Sequence, residues 1–82
     1  MTLYEQVVEV LIQRLGEKHR LKITPESCLE KDLEADSLDK VELVMTLEEV
    51  TGLAISDERA AKLVTVQDIV SFLEHNGVVE MR

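Results

Sequence analysis

The chain has 82 residues, of which 45% are hydrophobic, with one Phe, one Tyr, no Trp and a formal net charge of -8. A domain this small buries only about three-fifths of the surface its unfolded chain exposes, so a thin aliphatic core of Leu, Val, Ile and Met is expected and a deep internal active site is not. Seventeen acidic against nine basic residues repel nucleic-acid phosphates and anionic membrane surfaces, which leaves basic protein surfaces as the natural partners.

Thr2 followed by Glu5 has the form of a capping box, and Leu3, Val7, Val10, Leu11 and Leu15 recur at helical spacing before Gly16, predicting a first helix from about Thr2 to Leu15. The segment Met1 to Glu5 lacks the basic stretch of a secretory signal, and no apolar run approaches the roughly 20 residues that span a bilayer. A cytoplasmic protein with no membrane insertion is therefore expected. The next twenty residues hold Gly16, the Thr24-Pro25 step and scattered apolar residues (Leu21, Ile23, Cys28, Leu29, Leu33) without a sustained period, as in a long loop pinned by those side chains. Such loops are uncommon inside compact domains and are often functional. Cys28 is the only cysteine, which excludes an internal disulfide and a Cys-based zinc site and leaves a small buried hydrophobe.

Asp36, with Asp39 three positions on, caps a second helix that runs to Val50 and stops at Gly52. Ser56, Asp57 and Glu58 start a short helical turn through Lys62. Thr65 with Asp68 caps a last helix, whose Val66, Ile69, Val70 and Leu73 face inward until Asn76-Gly77. The tail from Val78 to Arg82 is expected to be loosely ordered. Without strand-like alternation or repeats, residues 1–82 are expected to form one all-α domain: a small four-helix bundle, three main helices and one short, with a long loop between the first two.

The second helix has two apolar sides. At about 100° per residue from Leu38, the residues Leu43, Val44, Leu47 and Val50 fall between about 120 and 240° and should face the core. Leu38, Val41 and Met45 lie between about 300 and 360°, with Glu42, Glu48 and Glu49 among or beside them. A core face is not threaded with carboxylates. An exposed apolar stripe ringed by acids suits a partner offering a hydrophobic groove edged with Lys and Arg, and flexible Met45 lets several partners share it.

The run Asp32-Leu33-Glu34-Ala35-Asp36-Ser37-Leu38-Asp39-Lys40-Val41-Glu42-Leu43-Val44-Met45 closely resembles the prosthetic-group segment of acyl carrier proteins. Glu48-Glu49, Gly52-Leu53, Ile55-Ser56-Asp57 and Thr65-Val66-Gln67-Asp68 also look like carrier positions, so the resemblance runs in register from Leu29 to Leu73. The first helix agrees in length and pattern only. The resemblance implies that the Ser37 hydroxyl is joined through a phosphodiester to 4'-phosphopantetheine, whose thiol carries acyl intermediates as thioesters. It implies a role in fatty acid or related polyketide or specialised lipid biosynthesis. The implied partners are a phosphopantetheinyl transferase, which brings coenzyme A and magnesium, and acyl-transfer and elongation enzymes with basic docking patches. Asp36 belongs to the motif and caps the helix; Leu38, Asp39, Val41, Glu42, Met45, Glu48 and Glu49 form the docking face. The chain itself is expected to be a non-catalytic monomer that binds no metal. A helix N-terminus, with unpaired N–H groups and partial positive charge, tolerates a phosphate at Ser37.

Three residues depart from the family pattern. Glu34 stands where many carriers have glycine and implies an ordinary backbone conformation there. Thr51 replaces a frequent phenylalanine, leaving space that Leu53 or Phe72 must fill. Lys40 points toward the core arc near a helix N-terminus, where a cation is mildly unfavourable, and could snorkel outward. Together they suggest a carrier tuned to particular partners. Asp32, Glu34 and Asp36 alternate like calcium-loop ligands, but Ser37 replaces the required glycine and Leu43 the final glutamate. His19 and His75 are isolated and expected at the surface, so no catalytic constellation is present. The competing function is an acidic helical interaction module that is never modified.

Overall fold

The computed structural model describes residues 1–81. Helix α1 spans Leu3–Leu15, α2 Ser37–Thr51, α3 Asp57–Ala60 and α4 Val66–His75. Three starts carry reciprocal capping boxes: Thr2 with Glu5, Asp36 with Asp39 and Thr65 with Asp68. Each satisfies N–H groups that the first turn leaves without helical partners. Gly52, at φ 76°, lets α2 end in a left-handed turn.

α1 packs against both α2 and α4. Leu11 of α1, Leu47 of α2 and Ile69 and Leu73 of α4 are fully enclosed, together with Leu29 and Leu33 from the α1–α2 connection. Burying such a side chain is worth about 1.5–3 kcal/mol relative to leaving it in water. The connection thus supplies core as well as linkage.

That connection is more ordered than its sequence suggests. Glu17–Lys22 form a 3₁₀ helix. Farther on, Cys28 and Thr65 make an isolated antiparallel bridge. Around it Leu29 N–H donates to Val64 O (2.9 Å), Val66 N–H to Ser27 O (3.0 Å) and Gln67 N–H to Pro25 O (2.8 Å). The loop backbone therefore finds its partners at the entry to α4. Cys28 is half-buried, not enclosed as expected.

His19 also departs from expectation. The 3₁₀ segment turns it inward to 2% exposure, with Nδ1 lacking a hydrogen-bond partner; His75 is exposed. Glu34 adopts the left-handed region at φ 58°, contrary to the ordinary conformation expected of it. Leu33 and Ala35 are both buried while Glu34 is exposed, and Ala35 N–H donates to Leu29 O (2.9 Å). Reversing the chain at Glu34 allows this, at a cost of about 1 kcal/mol for a residue with a Cβ. The backbone that glycine would favour is retained without glycine.

α3 stops two residues before Lys62, because Lys62 and Leu63 N–H bond to the carbonyls three residues back, of Arg59 and Ala60 (3.0 and 3.1 Å), and Leu63 turns into the core. Thr51 Oγ1 donates to Leu47 O (2.6 Å) and accepts from Leu53 N–H (3.2 Å), while Leu53 and Phe72 pack against the core. In the C-terminal segment Met81 is buried and its N–H donates to Gln6 Oε1 (2.8 Å). The expected loose tail is thus tied to α1 at Met81; Arg82 lies outside the described residues.

Candidate functional site

Ser37 opens α2 and is exposed. The residue before it directs its carboxylate into the helix: Asp39 N–H donates to Asp36 Oδ1 (2.8 Å), and Asp36 N–H returns a bond to Asp39 Oδ2 (3.2 Å). Lys40 N–H donates to Asp36 O (3.0 Å). Asp36 Oδ1 is therefore engaged in holding the first turn. Among the described residues nothing hydrogen-bonds the Ser37 hydroxyl, which stands at the end of a rigid element with one face open.

That face leads into a groove of about 420 Å³ between α2 and the α3 region. Ser37, Val41, Val44 and Glu48 line it from α2, and their spacing of four, three and four residues places them on one stripe. Ile55, Ala60 and Ala61 form the facing wall. Glu48 Oε2 accepts from Ile55 N–H (2.8 Å), joining the two walls. Lys40 enters from the flank, its Nζ 4.0 Å from Glu30 Oε1. It lies along the groove and does not point into the core.

The second apolar side of α2 is exposed: Leu38 at 61%, Val41 at 55% and Met45 at 59%. Leu43 and Leu47 are buried on the opposite side, with Val44 and Val50 partly covered. Val41 and Met45 also line the groove, so stripe and groove share an edge. The acids around the stripe differ from one another. Asp39 and Glu42 are paired with Arg14 of α1 and Glu48 is bonded to the Ile55 backbone, whereas Glu49 is exposed.

The sequence brought Ser37, Asp36 and the α2 stripe forward, and the structure sets them side by side. Sequence reasoning missed the groove and Arg14. The stripe through Ser37, Val41, Val44 and Glu48 carried a trace of the groove, while the 25-residue separation of Arg14 from Asp39 left none. Among the described residues no group of His, Cys, Asp and Glu side chains is arranged to hold a metal ion. Asp32 is bonded to Cys28 N–H (2.6 Å). No helix among them is long and apolar enough to cross a membrane.

Comparison with known proteins converges on one family. The family model for the phosphopantetheine attachment site matches residues 5–73. An acyl carrier protein of Helicobacter pylori is 45% identical over 76 residues, covering 93% of this chain and 96% of that relative. Its counterpart in strain G27 is 46% identical over the same shares. A solution structure from Anaplasma phagocytophilum, assigned as an acyl carrier protein, superposes with a TM-score of 0.83 at 38% identity, covering 94% of this chain and 90% of that one. The chain therefore belongs to the acyl carrier protein family, non-catalytic carriers that hold acyl groups on covalently attached 4'-phosphopantetheine.

Proposed function

We propose that Ser37 is the residue that carries the 4'-phosphopantetheine arm. The observation that carries this reading is the exposed, unbonded hydroxyl at the first position of α2, opening directly onto the groove. The residues present suit the group. The hydroxyl has no competing partner, the first turn of α2 offers N–H groups that the helix does not use, and Lys40 lies on the same flank.

Loading joins Ser37 Oγ to the phosphorus of coenzyme A next to pantetheine. The hydroxyl proton leaves and adenosine 3',5'-bisphosphate departs. In this reading a phosphopantetheinyl transferase with magnesium supplies the activation, while Asp36 Oδ1 holds the first turn through Asp39 N–H. Once bound, the arm contributes a thiol that holds acyl groups as thioesters. Ser37 anchors it, the Asp36–Asp39 box fixes the direction in which it leaves, and Val41, Val44 and Ile55 present an apolar wall suited to the first carbons of an acyl chain.

The exposed Leu38, Val41 and Met45 stripe is the docking face in this reading, with Asp39, Glu42, Glu48 and Glu49 steering basic patches of the transferase and of acyl-transfer and elongation enzymes. A cytoplasmic, monomeric carrier for fatty acid or related synthesis completes it. Incubation with coenzyme A and a broad-specificity transferase, followed by intact mass measurement, tests the assignment. One added arm that is lost in Ser37→Ala supports it. No mass gain with several transferases would favour an unmodified acidic interaction module.

A further inference from the structure

Lys40 follows Ser37 by three residues in α2, a spacing that leaves Cβ atoms about 5–6 Å apart on one side of a helix. Both side chains line the same groove. The Lys40 side chain is only 21% exposed, and its ammonium lies 4.0 Å from Glu30 Oε1, beyond hydrogen-bond distance. Glu30 is itself 69% exposed, so this attraction is screened and weak.

The other carboxylates of the groove do not hold Lys40 either. Glu48 is bonded to Ile55 N–H, and Asp57 lies in the first turn of α3 without an ion pair to Lys40. The Lys40 side chain is thus mostly covered, lines the same groove as Ser37 three residues away, and its cation is loosely held. A lysine in the first turn is also unfavourable against the helix dipole until an anion arrives beside it.

We propose that Lys40 is the counter-ion of the prosthetic group: on loading of Ser37 its ammonium leaves Glu30 and pairs with the phosphodiester oxygens, holding the base of the arm at the groove mouth. The proposal rests on the assignment of Ser37 as the attachment point. A phosphodiester adds one more negative charge to a chain already at -8, and Lys40 is the cation that lines the groove to receive it. The arm then leaves the surface beside Val41 and Val44, biased toward the groove and away from open solvent.

The test is a cycle of unloaded and loaded forms of the full chain in three versions: Lys40 retained, Lys40→Met, which keeps the apolar stem, and Lys40→Arg, which keeps the charge. Urea unfolding gives the change in folding equilibrium constant that loading causes in each. Loading is expected to favour folding about two- to fivefold more with Lys40 or Arg than with Met at low salt, with the difference lost at high salt. The phosphorus resonance of the loaded Lys40→Met chain should also be displaced from that of the native chain.

Equal effects of loading in all three versions, with an unmoved phosphorus resonance, would overturn the proposal. If Lys40→Met does not fold, Glu30→Gln replaces it; freeing Lys40 should enlarge the effect of loading, and an unchanged or reduced effect overturns the proposal. A chain that takes no arm removes the Ser37 assignment and this inference together. A chain that is loaded without coupling to Lys40 removes this inference alone.

Discussion

Arg14, in the last turn of α1, reaches across to α2, placing Nε and Nη2 each 3.2 Å from Asp39 Oδ1 and pairing Nη1 with Glu42. Two acids of the proposed docking flank therefore already hold a cation from their own chain. A partner lysine or arginine must compete with Arg14 before it gains Glu42. Glu49 faces no such competitor among the described residues.

Arg14→Gln should therefore strengthen docking. Exposed pairs are worth at most about 1 kcal/mol, so association with a basic partner enzyme should rise about two- to fivefold at low salt, and the gain should vanish at high salt. Stopped-flow association measured in parallel with urea unfolding would separate this from a loss of stability, which should not exceed about 1 kcal/mol. An unchanged or slower association at low salt would count against Glu42 as a docking residue.

Glu34 holds a backbone conformation that suits glycine. Glu34→Gly should raise stability by about 0.5–1 kcal/mol as relief of the Cβ clash exceeds the entropy gained by the unfolded chain. Glu34→Val should lower it. Denaturant midpoints of the two variants check both signs.

Leu33 lies outside any helix yet is 1% exposed, so Leu33→Ala should cost about 2–5 kcal/mol, as much as the same change at Leu47 on α2. In a domain this small that is a large part of the total stability. A cost below about 1 kcal/mol in urea unfolding would mean that the connection contributes little to the core.

Acid should weaken the join between α1 and the 3₁₀ segment. Hydrogen bonds from Arg20 hold the Glu9 and Glu17 carboxyls below their ordinary value of 4.5, with Arg20 Nη2 bonded to Glu9 (3.2 Å) and to Glu17 (3.0 Å). A depressed folded pKa gives stability that is fully present above the unfolded value and lost as pH falls through the folded one. Arg20→Gln should therefore be less stable than the native chain at neutral pH, and the two should converge at pH well below 4.5. A gap that persists in acid would contradict the assignment.

The helix starts were legible because their determinants are local: Thr2 with Glu5, Asp36 with Asp39 and Thr65 with Asp68 each close within one turn. The exposed face of α2 was legible for a related reason, since acids interleaved with Leu38, Val41 and Met45 conflict with burial. Glu34 was misjudged because its conformation is set by the need to bury Leu33 and Ala35 on either side. His19 was misjudged because a 3₁₀ turn brought it inward, and an isolated histidine carries no mark of that. Met81 escaped notice because its partner Gln6 is 75 residues away, and the groove escaped because its far wall depends on where α3 settles.

The most direct test of the central claim is to localise the arm by fragmenting the loaded, intact chain in the mass spectrometer. Every fragment that contains Ser37 should carry the phosphopantetheine mass, and no fragment lacking Ser37 should. An arm found on another residue, or a chain that stays unloaded while a carrier control is converted under the same conditions, would contradict it.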